Sequence, residues 1–451
     1  MRIALLGFDS QGRAAYDYWN TPGAVLTIRD RNPAVEVPEN ADSQVGDDYL
    51  QGLDQFDLLV RTPGLHPRDI VEANPEAPDI LSKVTTVTNE FMRVCPTDKV
   101  IGVTGTKGKG TTSTLITNIL KTAGNKVHLG GNIGIPPLDL LKNDIRPDDW
   151  VVLELANFQT IDLQHSPHIG VCLLIVPEHL NWHGDIAEYV DAKRQLFLQQ
   201  TDRDLMVYNA DDHNSIDVAR SSRAQKTWYS TRPRHAGETE EANCRGACIH
   251  GDKVCMDGEE ICKTSEIALL GKHNWQNVCA AIAATWEATG HDKIAIRSVV
   301  TTFKGLPFRI EFRTEKQGIR YYNDSFASQP DAAIAALHSI PGMKVMIMGG
   351  FDRGLDLTGM SQAVADAAGT IRKVVIIGAA GERLEQALQQ TGFNNFIRLE
   401  DGDMPAIVAL ARAQAQPGDA VVLSPGFASF DMFKNFEDRG RQFNAAVEAL
   451  R

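Results

Sequence analysis

The chain has 451 residues and a formal net charge of -13, room for two to four domains of ordinary size. Such acidity argues against a general nucleic-acid binder, whose footprint is a basic surface, so any bound phosphate has to be met by local lysines and arginines. The opening Met1-Arg2-Ile3-Ala4-Leu5-Leu6-Gly7 is too short an apolar run for a signal peptide, and no stretch is long enough to span a bilayer. A cytoplasmic protein with no membrane span and no nucleic-acid partner is expected. The first residues read as a strand, followed by Gly7-Phe8-Asp9-Ser10-Gln11-Gly12 and a helical run over 13–19. A second strand over 24–28 ends in Arg29-Asp30-Arg31, where a Rossmann-like unit places ribose or phosphate contacts. Asp9 stands where a dinucleotide fingerprint has its middle glycine, which favours a small nucleotide over NAD. A strand over 57–60 then leads into Arg61-Thr62-Pro63-Gly64, either a plain αβ turn or one that offers backbone donors to a diphosphate.

The most telling string comes next. Val100-Ile101-Gly102-Val103 reads as a buried strand, and Gly105-Thr106-Lys107-Gly108-Lys109-Gly110-Thr111-Thr112 follows it into the helical run 113–120. Glycines let backbone N–H groups approach phosphates, Lys109 neutralises their charge, and a threonine hydroxyl can hold Mg²⁺. The fit to a Walker loop is imperfect: Val103 occupies the first glycine's place and Gly110 separates Lys109 from Thr111. Further strands over 150–155 and 169–176 read as buried and parallel. Glu154 lies at the end of one and His179 just past the other, at the sheet edge where open α/β sheets bind ligands. A carboxylate and an imidazole there can share a divalent cation with a triphosphate. Cys244, Cys248, Cys255 and Cys262 show no C-x-x-C knuckle and sit among short strand-like runs, so buried thiols are expected in preference to zinc. From Lys304-Gly305 onward, strands over 344–348, 373–377 and 420–423 alternate with helices, a second doubly wound unit. The last helix carries Phe433, Phe436, Phe443, Val447 and Leu450 as a core stripe.

Taken together, several strings resemble the Mur ligases, most of all their D-glutamate-adding type. They are the 105–109 loop, Gly131-Asn132-Ile133-Gly134, Leu153-Glu154-Leu155 with Phe158-Gln159, Glu178-His179-Leu180-Asn181-Trp182-His183-Gly184, Ala192-Lys193, Gly271-Lys272-His273-Asn274 with Asn277, Gly305-Leu306-Pro307-Phe308-Arg309, Asn323-Asp324-Ser325, and Ser424-Pro425 with Lys434-Asn435-Phe436. The resemblance runs along essentially the whole chain. It implies an α/β protein of three domains: a Rossmann-like uridine-binding domain over 1–94, a central P-loop ATPase-like domain over 95–304, and a doubly wound amino-acid-binding domain over 305–451. It also implies an ATP-dependent ligase that adds D-glutamate to UDP-N-acetylmuramoyl-L-alanine through an acyl phosphate, in peptidoglycan precursor synthesis. ATP and two Mg²⁺ ions are the implied cofactors, and a monomer is the implied state.

Residue by residue, the resemblance implies that Gly105, Thr106, Lys107, Gly108, Lys109, Gly110, Thr111 and Thr112 hold the nucleotide's phosphates. Asn132 and Asn277 contact adenine, and Arg309 and Asp324 approach phosphate and ribose. Thr111, Glu154 and His179 lie at the metals, and a carbamylated Lys193 orients Mg²⁺ through water. Lys109, His179 and Lys193 carry catalysis. Asp30, Arg31, Thr62 and Gly64 meet the UDP substrate, and Arg353, Ser429 and Phe430 meet glutamate. The chain departs from the pattern at Phe326 and Arg353, each in place of a lysine, at Ala156-Asn157 in place of a serine pair, and at Leu174 in place of an asparagine. Phe326 and Arg353 lie around the amino acid, so an L-glutamate-adding ligase of the same pathway stays open. A folylpolyglutamate synthase-like ligase is a further alternative, set against the Rossmann-like block that precedes the nucleotide loop here. A UDP-sugar-binding protein without catalysis is a third, opposed by the joint presence of Lys109, Glu154, His179 and Lys193.

Overall fold

The computed structural model describes residues 1–39, 41–132, 134–232 and 246–450; Cys244 and Ile133, named above, lie outside them. Strands β1 (Arg2–Leu6), β2 (Val25–Asp30), β3 (Asp42–Val45), β4 (Leu58–Arg61) and β5 (Val84–Thr86) form a parallel sheet in the order β3-β2-β1-β4-β5. Strand order reverses at β1, which places a crevice beyond its C-terminal end at Gly7. The first helix, Ser10–Trp19, starts earlier than the apolar pattern indicates, because the Asp9 carboxylate caps it by accepting from the Gln11 and Gly12 amides. That same carboxylate fills the helix N-terminus a dinucleotide loop leaves to phosphate.

The second sheet is built on β6 (Val100–Thr104), β7 (Val127–Gly131), β8 (Trp150–Glu154), β9 (Ile169–Cys172), β10 (Leu205–Asn209) and β11 (Gln225–Ser230). It is extended by β12 (Ala247–His250), β13 (Lys253–Met256) and β14 (Glu259–Lys263), in the order β14-β13-β12-β11-β10-β9-β6-β8-β7. Every residue of β6, β8 and β9 is buried, as strands covered on both faces must be. The strand expected over 169–176 ends at Cys172. Beyond it the extended backbone leaves the ladder for the nucleotide loop: the Thr106 amide donates to Leu174 O, and the Val176 amide to Thr106 Oγ1. The strands β12 to β14 pair antiparallel, with Cys248, Cys255 and Cys262 buried, as the cysteine spacing suggests.

In the third sheet, β15 (Glu311–Lys316), β16 (Ile319–Asn323), β17 (Lys344–Gly349), β18 (Ile371–Ile377), β19 (Phe396–Arg398) and β20 (Ala420–Leu423) take the order β15-β16-β20-β17-β18-β19. All pairings are parallel except β15 with β16. The closing helix is Phe436–Ala449; Phe443 and Val447 belong to the core. Phe433 precedes this helix and Leu450 caps it, so the apolar stripe runs past both its ends. The chain forms two compact units, 1–267 with 275–301, and 268–274 with 302–451. Among the described residues no helix is long and apolar enough to cross a membrane.

Candidate active site

At β6 the second sheet's order reverses, and the nucleotide loop leaves the C-terminal end of that strand. Gly105 has φ 147°, and a Cβ there would lie 2.6 Å from Leu173 Cβ; Gly108 has φ 90°, and a Cβ would meet Asn277 Oδ1 at 2.1 Å. The loop's path is therefore open to glycine alone at both points. Gly108 is the N-cap of helix Lys109–Thr122 and supplies no side-chain cap, which leaves the helix's first N–H groups to an anion. Lys109 Nζ donates to Gly105 O and Thr106 O at 3.0 Å each. Thr111 is buried, Thr112 Oγ1 donates to Asn277 Oδ1 at 3.3 Å, and Lys107 turns outward to pair with Glu178 at 2.7 Å.

A second lysine reaches the same carbonyl from another element. Lys193, on helix Ile186–Arg194, is 0% exposed and donates from Nζ to Gly105 O at 3.0 Å. Burial, and then the charge of Lys109, hold its pKa well below the usual lysine value. Lys193 is thus a buried lysine with a lowered pKa, not a solvated surface lysine. Its helix neighbour Tyr189 contacts Thr106 Oγ1 with its hydroxyl at 2.9 Å.

Glu154 closes β8, 3% exposed, and accepts from Asn132 Nδ2 at 3.3 Å. That contact sets Asn132 beside the carboxylate expected at the metal, whereas Asn277 packs on Gly108. His179 stands in the left-handed region at φ 57°, its ring 4.8 Å from Phe158. Burial, then the lysines around it, lower its pKa against the pull of Glu178, so the ring is neutral and able to ligate. The open helix start, the glycine cradle, Lys109, Thr111, Glu154 and the neutral His179 together fit a triphosphate with a divalent cation.

The first sheet's candidates divide. Asp30 accepts from the Phe8 and Asn32 amides, bracing its own crevice, while Arg31 is exposed. Arg29 is instead a core residue, 2% exposed, donating to Tyr49 O and Gln51 O. The Thr62 amide and hydroxyl both donate to Leu6 O, which fixes the start of the turn, and Gly64 is exposed. Arg61, read as part of the turn, ends β4 fully buried in a two-bond pair with Asp162.

In the second compact unit, Asp324, Ser424 and Gly349 meet at the C-terminal edge of β16, β20 and β17. Asp324 is 3% exposed, accepting from Ile310 N at 3.0 Å and Ser424 Oγ at 2.7 Å. Burial outweighs those bonds and pushes its carboxyl up to about 7. Arg309 sits between Phe308 and Ile310, both at positive φ, and lies over the Phe326 ring at 4.5 Å. Arg353 lies over Phe430 at 5.5 Å, and Phe430 is exposed with Phe351 edge-on to it. Ser429 is buried, its carbonyl accepting from Phe433. Sequence reasoning missed Arg439: 0% exposed, it donates to Ser325 Oγ and to the carbonyls of Ser325, Phe427 and Ala428. It also missed His66, His183 and Glu188, whose only signal was the second histidine of the 178–184 string.

A doubly wound unit with a glycine loop, two lysines on one carbonyl and a buried acid defines a protein built to bind a nucleoside triphosphate. Residues 103–285 match the Mur ligase middle domain and 308–427 the Mur ligase glutamate ligase domain. The chain belongs to the Mur ligase family. It is 37% identical to the UDP-N-acetylmuramoylalanine--D-glutamate ligase of Symbiobacterium thermophilum, over 100% of this chain and 98% of that one. Against the ligase of the same name from Clostridium kluyveri the identity is 33%, over 100% and 97%. The fold is similar to that of MurF ligase from Thermotoga maritima in complex with ADP, with a TM-score of 0.56 at 16% identity over 99% of this chain and 95% of that one.

Proposed function

We propose that this chain adds D-glutamate to UDP-N-acetylmuramoyl-L-alanine with ATP and two Mg²⁺ ions, as a cytoplasmic monomer in peptidoglycan precursor synthesis. The observation that carries the reading is the meeting of Lys109 and Lys193 on Gly105 O. ATP with Mg²⁺ supplies the phosphoryl group that turns the substrate carboxylate, which has no leaving group of its own, into an acyl phosphate.

The protein's part is placement and charge. Lys109 faces the transferring charge from inside the loop, where a fixed cation stabilises it with little reorganisation. Thr111, Glu154 and His179 would hold the cations, and Lys193, buried and with its pKa lowered, would take up CO₂ as a carbamate, its amine losing one proton and becoming an anion. Asn277 flanks the nucleotide loop, with Arg309 and Asp324 for phosphate and ribose. Asp30, Arg31, Thr62 and Gly64 border the UDP substrate. Arg353, Ser429 and Phe430 receive glutamate, whose amine displaces phosphate from the acyl carbon. Domain boundaries after residues 94 and 304 give each sheet its own substrate.

The relatives' shared name supports D-glutamate over its enantiomer. Phosphate release from ATP and Mg²⁺ with UDP-N-acetylmuramoyl-L-alanine and a panel of amino acids tests the proposal. Release with D-glutamate is expected; release with L-glutamate alone, or with none of the panel, overturns it.

A further inference from the structure

Near the nucleotide loop, two buried imidazoles face one carboxylate. His66 Nε2 lies 3.4 Å from Glu188 Oε1, and His183 Nδ1 lies 3.8 Å from Oε2. Among the described residues neither ring nitrogen has a hydrogen-bond partner, so each faces the carboxylate by proximity alone, and the residues are 6% and 1% exposed. The three side chains have the donor types of a metal centre, with ligand atoms within 4.8 Å of one another. The hydrogen bonds argue for something else. His66 caps the helix Pro67–Ala73, its Nδ1 accepting from the Arg68 amide at 3.0 Å, so the neutral ring carries its proton on Nε2, the atom that would have to ligate. Glu188 already has a guanidinium on Oε1, from Arg68 Nη2 at 2.6 Å, and an amide on Oε2, from Gly184 at 2.6 Å. A carboxylate ringed by donors is an anion clamp.

The clamp joins three elements. His66 and Arg68 directly follow the 62–64 turn. His183 and Gly184 end the loop that begins with Glu178 and His179, and Asn157 holds the other face of His183, Nδ2 to Nε2, at 2.7 Å. Glu188 itself stands on Ile186–Arg194, the helix from which Tyr189 and Lys193 reach the nucleotide loop. A second tie runs parallel to it, from Trp182 Nε1 to Gly64 O at 3.2 Å.

We propose that Glu188 is a positioning residue for ligation, its carboxylate holding the 62–66 segment in register with the loop and helix that carry His179 and Lys193. The proposal rests on the function given above, in which 62–64 borders the UDP substrate. Glu188→Gln keeps the side chain's shape and removes the charge on which Arg68 and the ring N–H groups converge. Misplacement by about 1 Å costs on the order of a hundredfold in rate, so kcat should fall by about tenfold to a hundredfold. The KM for UDP-N-acetylmuramoyl-L-alanine should rise, and that for ATP should stay within about twofold, since the nucleotide loop keeps Tyr189 and Lys193.

The test is steady-state kinetics of the full-length wild type, Glu188→Gln and Glu188→Asp, with each substrate varied in turn. It is paired with ¹⁵N spectra of the histidine rings. The expected result is the KM split, partial recovery in Glu188→Asp, a His66 ring protonated on Nε2, and altered His66 and His183 ring signals in Glu188→Gln. Unchanged constants and ring signals in Glu188→Gln overturn the proposal. So does an equal rise in all three KM values with a lowered melting temperature, which marks a merely structural acid. Visible Co²⁺ bands abolished by His66→Ala but kept in His179→Ala overturn it too, in favour of a metal centre. Inactivity of the wild type toward the UDP substrate would defeat the function itself, recognisable because the ring signals would still report the clamp.

Discussion

The nucleotide loop and the Arg353 corner of the second compact unit handle charge in opposite ways. Around Gly105, two lysines are drawn onto one carbonyl, one of them 0% exposed, and the backbone tolerates no Cβ at 105 or 108. Around Arg353, the guanidinium rests on an exposed phenylalanine in a loop of glycines. The first arrangement is fixed before any ligand arrives, and a fixed cation is what phosphoryl transfer needs. The second is open, and its residue types are free to differ between chains that share the chemistry.

The sharpest break of this contrast is Lys109→Ala. Removal of a preorganised cation should lower turnover by about 10³-fold while the melting temperature changes little, since the charge is needed mainly when the phosphoryl group moves. Amino-acid-dependent phosphate release checks the first point and thermal unfolding the second. Next comes Arg439→Ala, which strips the donor from several buried carbonyls. With each unpaired polar group costing about 1–3 kcal/mol, the second unit should lose about 3 kcal/mol or more, read by denaturant unfolding. Arg353→Ala comes third: loss of a charge-assisted contact of about 1.5–3 kcal/mol should raise the KM for glutamate by about one to two decades. ATP and the UDP substrate should bind as before, and Arg353→Lys should be partly tolerated. Unchanged glutamate kinetics in Arg353→Ala would force the pocket onto other residues.

The last break concerns Asp324 and pH. Its folded value of about 7 lies above the ordinary carboxyl value of about 3.9. The folded state therefore binds more protons between those limits, and the contribution of Asp324 to stability is full below about 3.9 and lost as pH rises through 7. The stability advantage of wild type over Asp324→Asn, without ligands, should thus shrink from pH 5 to pH 8. A flat difference in melting temperature over that range would contradict it.

The same contrast explains what the sequence made legible. A buried parallel strand, a glycine loop and a helix are contiguous, so 100–120 could be read directly, and Glu154 and His179 followed from strand ends. Lys193 was visible through family pattern, but its burial comes from tertiary packing. The clamp of His66, His183 and Glu188 joins residues up to 122 positions apart, and nothing local marks a histidine as the cap of a helix. Asn132 shows the same limit: its neighbours in sequence do not reveal that Glu154 takes its amide. Asp9 was read correctly as a departure from the dinucleotide loop, and its reason emerged as a helix cap. Around Arg353 no periodicity or turn rule constrains the side chain, so the pattern of the family was the whole signal.

The most direct test of the central claim uses UDP-N-acetylmuramoyl-L-alanine labelled with ¹⁸O in its carboxylate. In the presence of ATP, Mg²⁺ and D-glutamate, the account predicts that one ¹⁸O from each substrate molecule appears in the released phosphate, because the carboxylate oxygen stays with phosphorus when the amine displaces it. Phosphate released without ¹⁸O, or labelled phosphate formed with L-glutamate but not with D-glutamate, would contradict it.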